Sequence, residues 1–483
     1  MGGQRGLRNV RLSCGVDVRP GTATLSRVLV FLTLGFLVAR TAAPVRDADT
    51  FWHVAAGRQT LTDWTFVGPD PLSPFTAGPW IRHQWLPETV FATLQDRVGT
   101  GALALALPVM AAATIWVLYL VLRQFSGVLL AALLLALAFL TMSGSISLRP
   151  QVLSFAGTAG VLGLWLTSRA DNSPRRLWWV VPVTWLWACC HGLWLLSPVI
   201  GAAVLVGWAV DRRSIRALGP AALVVVASFL VGLLTPVGPQ LLLAPLQVRR
   251  VASYIQEWRP APWSSLPFVA LVVLLVLVAL GWFAGRRMPP TSHLLLALLA
   301  VVLGLSARRT VGIAGIILAV VAAVPLQQLL PSAREAWSRR ELAWSGLAAG
   351  AGVATAGLLI WSLPSSIAGY PSTPFRQLAS VARGSVICVE YETGSWLLWR
   401  HPALVPSVDG RTELYSPAQL ELALRFTDGV PGSDELLRQA TGCRHAVVHT
   451  GGAASALLDQ RYARVETDGE LSLYDLSSPK SGR

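Results

Sequence analysis

The chain has 483 residues, 53% of them hydrophobic and only 13% charged, and its mean hydropathy is +0.55. Apolar runs near the ~20 residues that cross a bilayer recur from Leu25 to Leu363, which excludes an ordinary water-soluble protein and defines a polytopic membrane protein of mainly α class. The formal charge of +14 does not signal a nucleic-acid partner, because the basic residues, all arginine except Lys480, sit in short clusters between apolar runs, as the positive-inside bias requires.

Residues 1–23, with Arg5, Arg8, Arg11 and Arg19, lead into an apolar run that has no small-residue cleavage site. They read as a cytoplasmic tail before a retained first span. Spans are expected at about 24–43, 101–122, 127–143 and 152–168, then two within 177–210 broken near His191-Gly192. Further spans follow at about 217–236, 267–285, 292–307, 310–326 and 343–363, roughly eleven in all. With the N-terminus inside, the turns "RQFSG", "RADNSPRR", "DRRSIR", "GRRM" and "SAREAWSRR" become cytoplasmic, and each carries arginine. Loop one (44–100), the segments 144–151 and 236–266, and the tail then lie on the extracytoplasmic side.

From about residue 364 the chain changes character. Short β-type runs ("SVICVEY", "ALVPSVD", "HAVVHT", "LSLYDL") alternate with helical patterns ("PAQLELALRF", "SDELLRQA"), which predicts a small extracytoplasmic α/β domain over 364–483 behind a membrane module of 24–363. The five cysteines, Cys14, Cys189, Cys190, Cys388 and Cys443, show no metal-ligand spacing. Cys388 and Cys443 are open to two readings, a disulfide in an oxidising compartment or two unrelated buried thiols.

Candidate chemistry begins where span one ends, at "VRDADTFWHVAAGRQTLTDW" (45–64). Asp47 and Asp49 at a membrane face are half desolvated, which suits a general base or a ligand for a divalent ion; equally, the two acids can cap the following helix. Loop one adds His53, Arg58, Asp70, Arg82, His83, Gln84 and Glu88, with tryptophans suited to an interfacial belt. His191 either faces a cavity or is satisfied by a neighbouring helix. The amphipathic segment "QVRRVASYIQEWRPAPW" (247–263) either lies in the interface and gates lipid access or is a solvated loop helix. "PSVDGRTELYSP" places Asp409 and Arg411 around a glycine turn, for an ion pair or for acceptor recognition. No GxGxxG, Walker A, HExxH or GxSxG pattern occurs, so a nucleotide cofactor has no motif to bind it.

The acidic motif after span one, the helix ending near "TLTDW" and the "RHQWLPE" segment before span two resemble the first extracytoplasmic loop of GT-C superfamily glycosyltransferases, which include protein O-mannosyltransferases and the lipid A aminoarabinose transferase. A set of bacterial membrane proteins is more similar still. Its segments have counterparts at Asp47–Gly57, Arg149–Phe155, His191-Gly192, Glu257–Pro260 and Asp409–Tyr415. The superfamily's "DE" pair and Lys-Pro-Pro motif are absent. The resemblance implies an enzyme that moves a sugar from a polyprenyl-phosphate donor to a hydroxyl of a glycan, lipid or protein outside the cytoplasm.

By that likeness Asp47 or Asp49 is the base, with a divalent metal such as Mg or Mn at the same two residues if one is used. Arg149, Arg308 and Arg309 would hold the phosphate, and His53, Arg58, His83, Glu88 and His191 would complete substrate binding. The alternative is a transporter or flippase, or a non-catalytic scaffold for envelope glycolipid assembly. A transporter carries its ionisable residues near the bilayer midplane, whereas here they lie at span ends and in loops, His191 apart.

Overall fold

Every apolar interval predicted above is helical in the computed structural model, which describes residues 20–212, 215–286, 288–330 and 338–480. The basic stretch before residue 20 with Cys14, and parts of the turns "DRRSIR", "GRRM" and "SAREAWSRR", lie outside the described residues. The membrane part consists of α1 (Pro20–Ala39), α4 (Thr100–Phe125), α5 (Val128–Met142), α6 (Gln151–Ala170), α7 (Val180–Cys190), α8 (Leu196–Arg212), α9 (Ile215–Leu230), α11 (Leu266–Gly285), α12 (Thr291–Ser306), α13 (Val311–Leu329) and α14 (Arg339–Trp361). Between α1 and α4 lie α2 (Ala48–Asp63), the two-stranded ribbon β1 (Val67–Gly68) and β2 (Trp80–Ile81), and α3 (Trp85–Arg97); α10 (Ala244–Val251) lies between α9 and α11.

By length and composition, six helices among the described residues are able to cross a bilayer: Thr100–Phe125, Val128–Ser145, Gly192–Asp211, Leu266–Gly285, Arg308–Leu329 and Arg339–Trp361. The number rises to seven if Leu218–Leu234 and Gly238–Tyr254, bent by 113° at their junction, form one broken span. The expected eleven are not all met by this measure for local reasons. α7 stops at Cys190, α12 has only 16 residues, and α6 carries Ser, Thr, Gly and Arg169 among its apolar positions.

α13 is the hub of this assembly and packs against α11, α5, α12, α6 and α4. Its sequence "VGIAGIILAVVAAVP" is built from small residues, the composition that lets helix backbones approach where no hydrophobic force drives association. Gly315 makes this concrete, since a Cβ there would overlap the Thr141 side chain of α5.

Loop one folds as a helical hairpin. Asp47 caps α2 by accepting a hydrogen bond from the Asp49 backbone N–H at 3.0 Å, so the capping reading is met. At Gly57, α2 touches α3 so closely that a Cβ would sit 1.9 Å from the Glu88 carbonyl oxygen.

The C-terminal segment carries β3 (Val386–Val389), α15 (Tyr391–Arg400), β4 (Val405–Pro406), α16 (Pro417–Thr427), α17 (Ser433–Thr441), β5 (His445–His449), α18 (Ala453–Arg461), β6 (Tyr462–Asp468) and β7 (Leu471–Pro479). One sheet in the order β4-β3-β5-β7-β6 results, parallel across β4, β3 and β5 and antiparallel beyond. β3 and β5 are buried hydrophobic runs, as strands covered on both faces must be.

Cys388 of β3 and Cys443 just before β5 form a disulfide, with Cα atoms 5.6 Å apart. Cys189 and Cys190 are free and buried. The segment is joined to loop one at its root, where Val45 bridges Ile367 through Val45 N–H to Ser366 O (2.8 Å) and Ala368 N–H to Val45 O (3.0 Å). α15 packs against α2.

The disulfide spans 55 residues. Cys388→Ser in the full chain is therefore expected to destabilise the C-terminal segment by about 2–4 kcal/mol. Limited proteolysis of the detergent-purified variant across a urea series measures this as faster cutting within 380–480.

Candidate functional site

Loop one, the turn before α6, the start of α8, the bent segment 244–258 and the C-terminal segment surround a cavity of about 960 Å³. Its floor is set by Arg149. Residues 147–150 form a tight turn, with Arg149 N–H donating to Ser147 O (2.7 Å), and Thr50 of α2 donates its hydroxyl to Leu148 O (2.8 Å). That bond fastens the turn beneath the two acids. Arg149 Nε donates to Asp47 Oδ2 at 2.6 Å, and its Nη1 lies 3.0 Å from Asp49 Oδ2 and 2.6 Å from Glu257 Oε1.

Three carboxylates, two from the start of α2 and one from the bent segment, thus share one guanidinium. Desolvation would lower the pKa of Arg149, but the charges of Asp49, Asp47 and Glu257 hold it well above its ordinary value. Asp49 is pushed up to about 7, first by burial and then by Asp47 and Glu257, against the pull of Arg149.

Asp49 has two distinguishable oxygens. Oδ2 faces Arg149, while Oδ1 faces the C-terminal segment: a Cβ placed on Gly410 would lie 2.7 Å from Oδ1 and 2.8 Å from Trp52. Gly410 N–H donates to Ser395 Oγ at 3.0 Å, which holds the turn in place. Only a residue without a side chain fits between α2 and α15 here.

The residues flanking Gly410 form a sealed ion cluster. Arg411 donates Nε to Asp409 Oδ1 (2.9 Å), Nη2 to Asp409 Oδ2 (2.7 Å) and Nη1 to Asp70 Oδ1 (2.9 Å), while the Tyr415 hydroxyl donates to Asp409 Oδ2 (2.7 Å). All three charged side chains are fully buried, and Arg411 and Arg82 both lie over the Trp80 ring, at 4.6 and 4.7 Å. The ion-pair reading of Asp409 and Arg411 is therefore realised, and Asp70 extends it so that the pair fastens the C-terminal segment to loop one.

The predicted site residues divide into two groups. His53, His83, Arg149, His191 and Arg309 line the cavity together with Asp47 and Asp49. His83 hydrogen-bonds Ile81 O through Nδ1 at 3.1 Å. Arg309 Nη2 lies 3.2 Å from His191 Nε2, while His191 Nδ1 lies 2.8 Å from Ser154 Oγ and 3.3 Å from the Leu193 backbone N–H. His191 is thus held by a hydroxyl and an arginine, in the cavity wall rather than against a carbonyl. Arg309 also lies over the Trp258 ring at 5.1 Å, and its Nε is buried with no hydrogen-bond partner among the described residues.

The other three do not reach the cavity. Glu88 sits behind His53, contacting its Nδ1 at 3.0 Å; burial pushes Glu88 up to about 8 and His53 well below its usual value, so the contact is between neutral groups at pH 7. Arg58 turns to α3, pairing with Asp96 and donating to Trp399 O at 3.2 Å. Arg308 is exposed, although it neighbours Arg309 in the short turn that joins α12 to α13.

Several cavity-lining positions lay outside the sequence-based set. Glu257, which completes the carboxylate triad, was visible only as part of "EWRP" in an amphipathic segment. Tyr370, Tyr391, Glu392 and Glu413 of the C-terminal segment also line the cavity, and no local pattern distinguishes them from ordinary surface residues. As for a metal, among the described residues no three His, Cys, Asp or Glu side chains gather in a way that could hold one. Asp47 and Asp49 are committed to Arg149 instead.

This architecture, helices around a cavity capped by loop one and a C-terminal sheet, is shared with known structures. The chain is similar in structure to the oligosaccharyltransferase AglB of the archaeon Archaeoglobus fulgidus, solved with an inhibitory peptide and a dolichol-phosphate: TM-score 0.53, 12% identity, covering 94% of this chain and 75% of that one. The same enzyme tethered to an acceptor peptide aligns with TM-score 0.53 and 13% identity over 94% and 74%. Its complex with Zn and sulfate gives 0.53 and 13% over 92% and 73%. No protein-family model matches the chain, and no curated protein matches it in sequence.

Replacing Arg411 by Ala would leave Asp70 and Asp409 buried without their cation. The expected cost is about 3–5 kcal/mol, measured as a lower thermal unfolding midpoint of the purified chain. Gly410→Ala, which would press a Cβ against Asp49, Ser395 and Trp52, should also lower that midpoint, at a cost of about 1–3 kcal/mol.

Proposed function

We propose that the chain is a membrane glycosyltransferase, moving a sugar from a polyprenyl-phosphate donor to an acceptor hydroxyl of a glycan, lipid or protein. The observation that carries this reading is the convergence of Asp47 and Asp49 on Arg149 at the floor of a large cavity, within a fold similar to that of an enzyme solved with dolichol-phosphate. In this reading the helices make about eleven passes, several of them short or broken, with the arginine-rich turns inside. Loop one and the C-terminal domain, residues 364–483, then face the extracytoplasmic side. The disulfide Cys388–Cys443 supports that placement, since such bonds persist in oxidising compartments. The setting would be the envelope of a bacterium.

Asp49 is the base. Its carboxylate takes the proton of the acceptor hydroxyl as the acceptor oxygen bonds to the anomeric carbon, while the bond from that carbon to the phosphate oxygen breaks with its electron pair. The phosphate gains charge, which Arg309 and the free Nη2 of Arg149 stabilise by hydrogen bonding in a poorly hydrated wall. Asp47 holds Arg149 and caps α2, so its part is to position both.

Because the carboxylate of Asp49 is the active form and its pKa is about 7, transfer should rise with pH through about 7 and level off above it. Asp49→Asn should lower transfer from a polyprenyl-phosphate sugar by about a hundredfold or more and remove that pH step. Purified variants assayed with radiolabelled donor decide the matter. Wild-type turnover in both Asp47→Asn and Asp49→Asn would overturn the assignment.

A further inference from the structure

We propose that Arg149 is a built-in cation standing where a divalent metal would otherwise sit, so that this chain neither binds nor needs a metal at its paired acids. The inference rests on the transferase reading above for its catalytic half, but its binding half stands on geometry alone. One of the similar enzymes is solved with Zn and sulfate, so the fold admits a metal, and the question is whether these residues fit one.

Asp47, Asp49 and Glu257 come from the start of α2 and from the bent segment after α10, and nothing in their local sequence forces them together. They meet because each contacts the same guanidinium, at 2.6, 3.0 and 2.6 Å. A cation placed among their oxygens would have to displace the fork of Arg149 or lie against it, and two cations cannot share the space. Arg149 is also not free to swing away: Pro150 follows it and starts α6, the 147–150 turn is closed by its own backbone bond, and Thr50 pins Leu148 from α2.

A guanidinium can do part of a metal's work. It stays charged at any working pH, neutralises clustered carboxylates and grips phosphate oxygens through paired N–H groups. Arg149 spends Nε and Nη1 on the acids, and Nη2 makes no hydrogen bond among the described residues. With 23% of its side chain exposed at the cavity wall, Nη2 is the donor left for a substrate anion. Arg309 stands within electrostatic reach of Arg149, Asp49 and Glu257 and supplies a second positive charge.

The test uses the full chain in detergent, stripped with EDTA and titrated with Mn²⁺ while the free-ion paramagnetic resonance signal is followed. Wild type should leave the signal undiminished at millimolar Mn²⁺. Arg149→Ala, which removes the cation and keeps the acids, should bind one Mn²⁺ per chain, and adding Asp49→Asn should abolish that binding. Where activity is measured, EDTA should change wild-type transfer by less than about twofold, and Arg149→Ala should lose about a hundredfold and regain part of it with Mn²⁺.

Stoichiometric Mn²⁺ binding to wild type that disappears in Asp49→Asn would overturn the proposal. So would a loss of more than about tenfold on chelation that Mn²⁺ or Mg²⁺ reverses, or a folded Arg149→Ala that binds no Mn²⁺. The wild-type titration needs no variant to fold. Wild type that transfers no sugar from prenyl-phosphate donors would sink the transferase reading, yet leave the titration to decide this one.

Discussion

Charge at the edge of a bilayer has to be neutralised by protein, because neither lipid nor a thin layer of water will do it, and that constraint organises this molecule. Three acids and one arginine meet below the cavity, two acids and one arginine meet between loop one and the C-terminal segment, and each cluster draws its members from distant parts of the chain. Buried ion clusters contribute little net stability compared with apolar packing of the same volume. What these two provide is registration: the first is satisfied only when loop one, the 147–150 turn and the bent segment stand in one relative position, the second only when loop one and the C-terminal segment do.

The same constraint ties local structure to chemistry. Asp47 is both the cap of α2 and a ligand of Arg149, so the helix cannot start elsewhere without releasing the guanidinium. Gly410 lets the backbone of the C-terminal segment close against Asp49, so that Oδ1 faces Gly410 while Oδ2 faces Arg149. His191, Ser154 and Arg309 form a second strand of contacts deeper in the wall, where a broken helix replaces a continuous one and frees polar groups to face the cavity. Small residues along α13 allow the surrounding helices to draw close enough to hold these positions.

Much of this was legible in the residues themselves. Apolar runs placed the helices because hydropathy is a property of short windows, and the β-type runs after residue 364 did form the sheet. Asp47, Asp49, Arg149, His191 and Arg309 stood out because a charged or ionisable group beside an apolar run is rare enough to notice. Arg58, Glu88 and Arg308 stood out for the same reason, and the pattern could not say which way they face: Arg58 finds Asp96, Glu88 lies behind His53, and Arg308 points outward. Glu257 and Glu413 were obscured because their importance comes only from what folds against them. The number of spans was the least legible quantity, since a helix interrupted at His191 or bent by 113° after Leu234 satisfies the backbone without keeping a straight run of twenty residues.

The buried bond between Asp70 and Arg411 links positions 341 residues apart, with almost the whole membrane part between them. During synthesis Asp70 emerges early and lacks its partner until the first two fifths or so of the C-terminal segment have been translated. Loop one therefore cannot close, and the cavity cannot exist, before translation is nearly finished. Synthesis that stops between Trp361 and Arg411 leaves a chain whose membrane helices are complete but whose cavity still lacks its C-terminal wall.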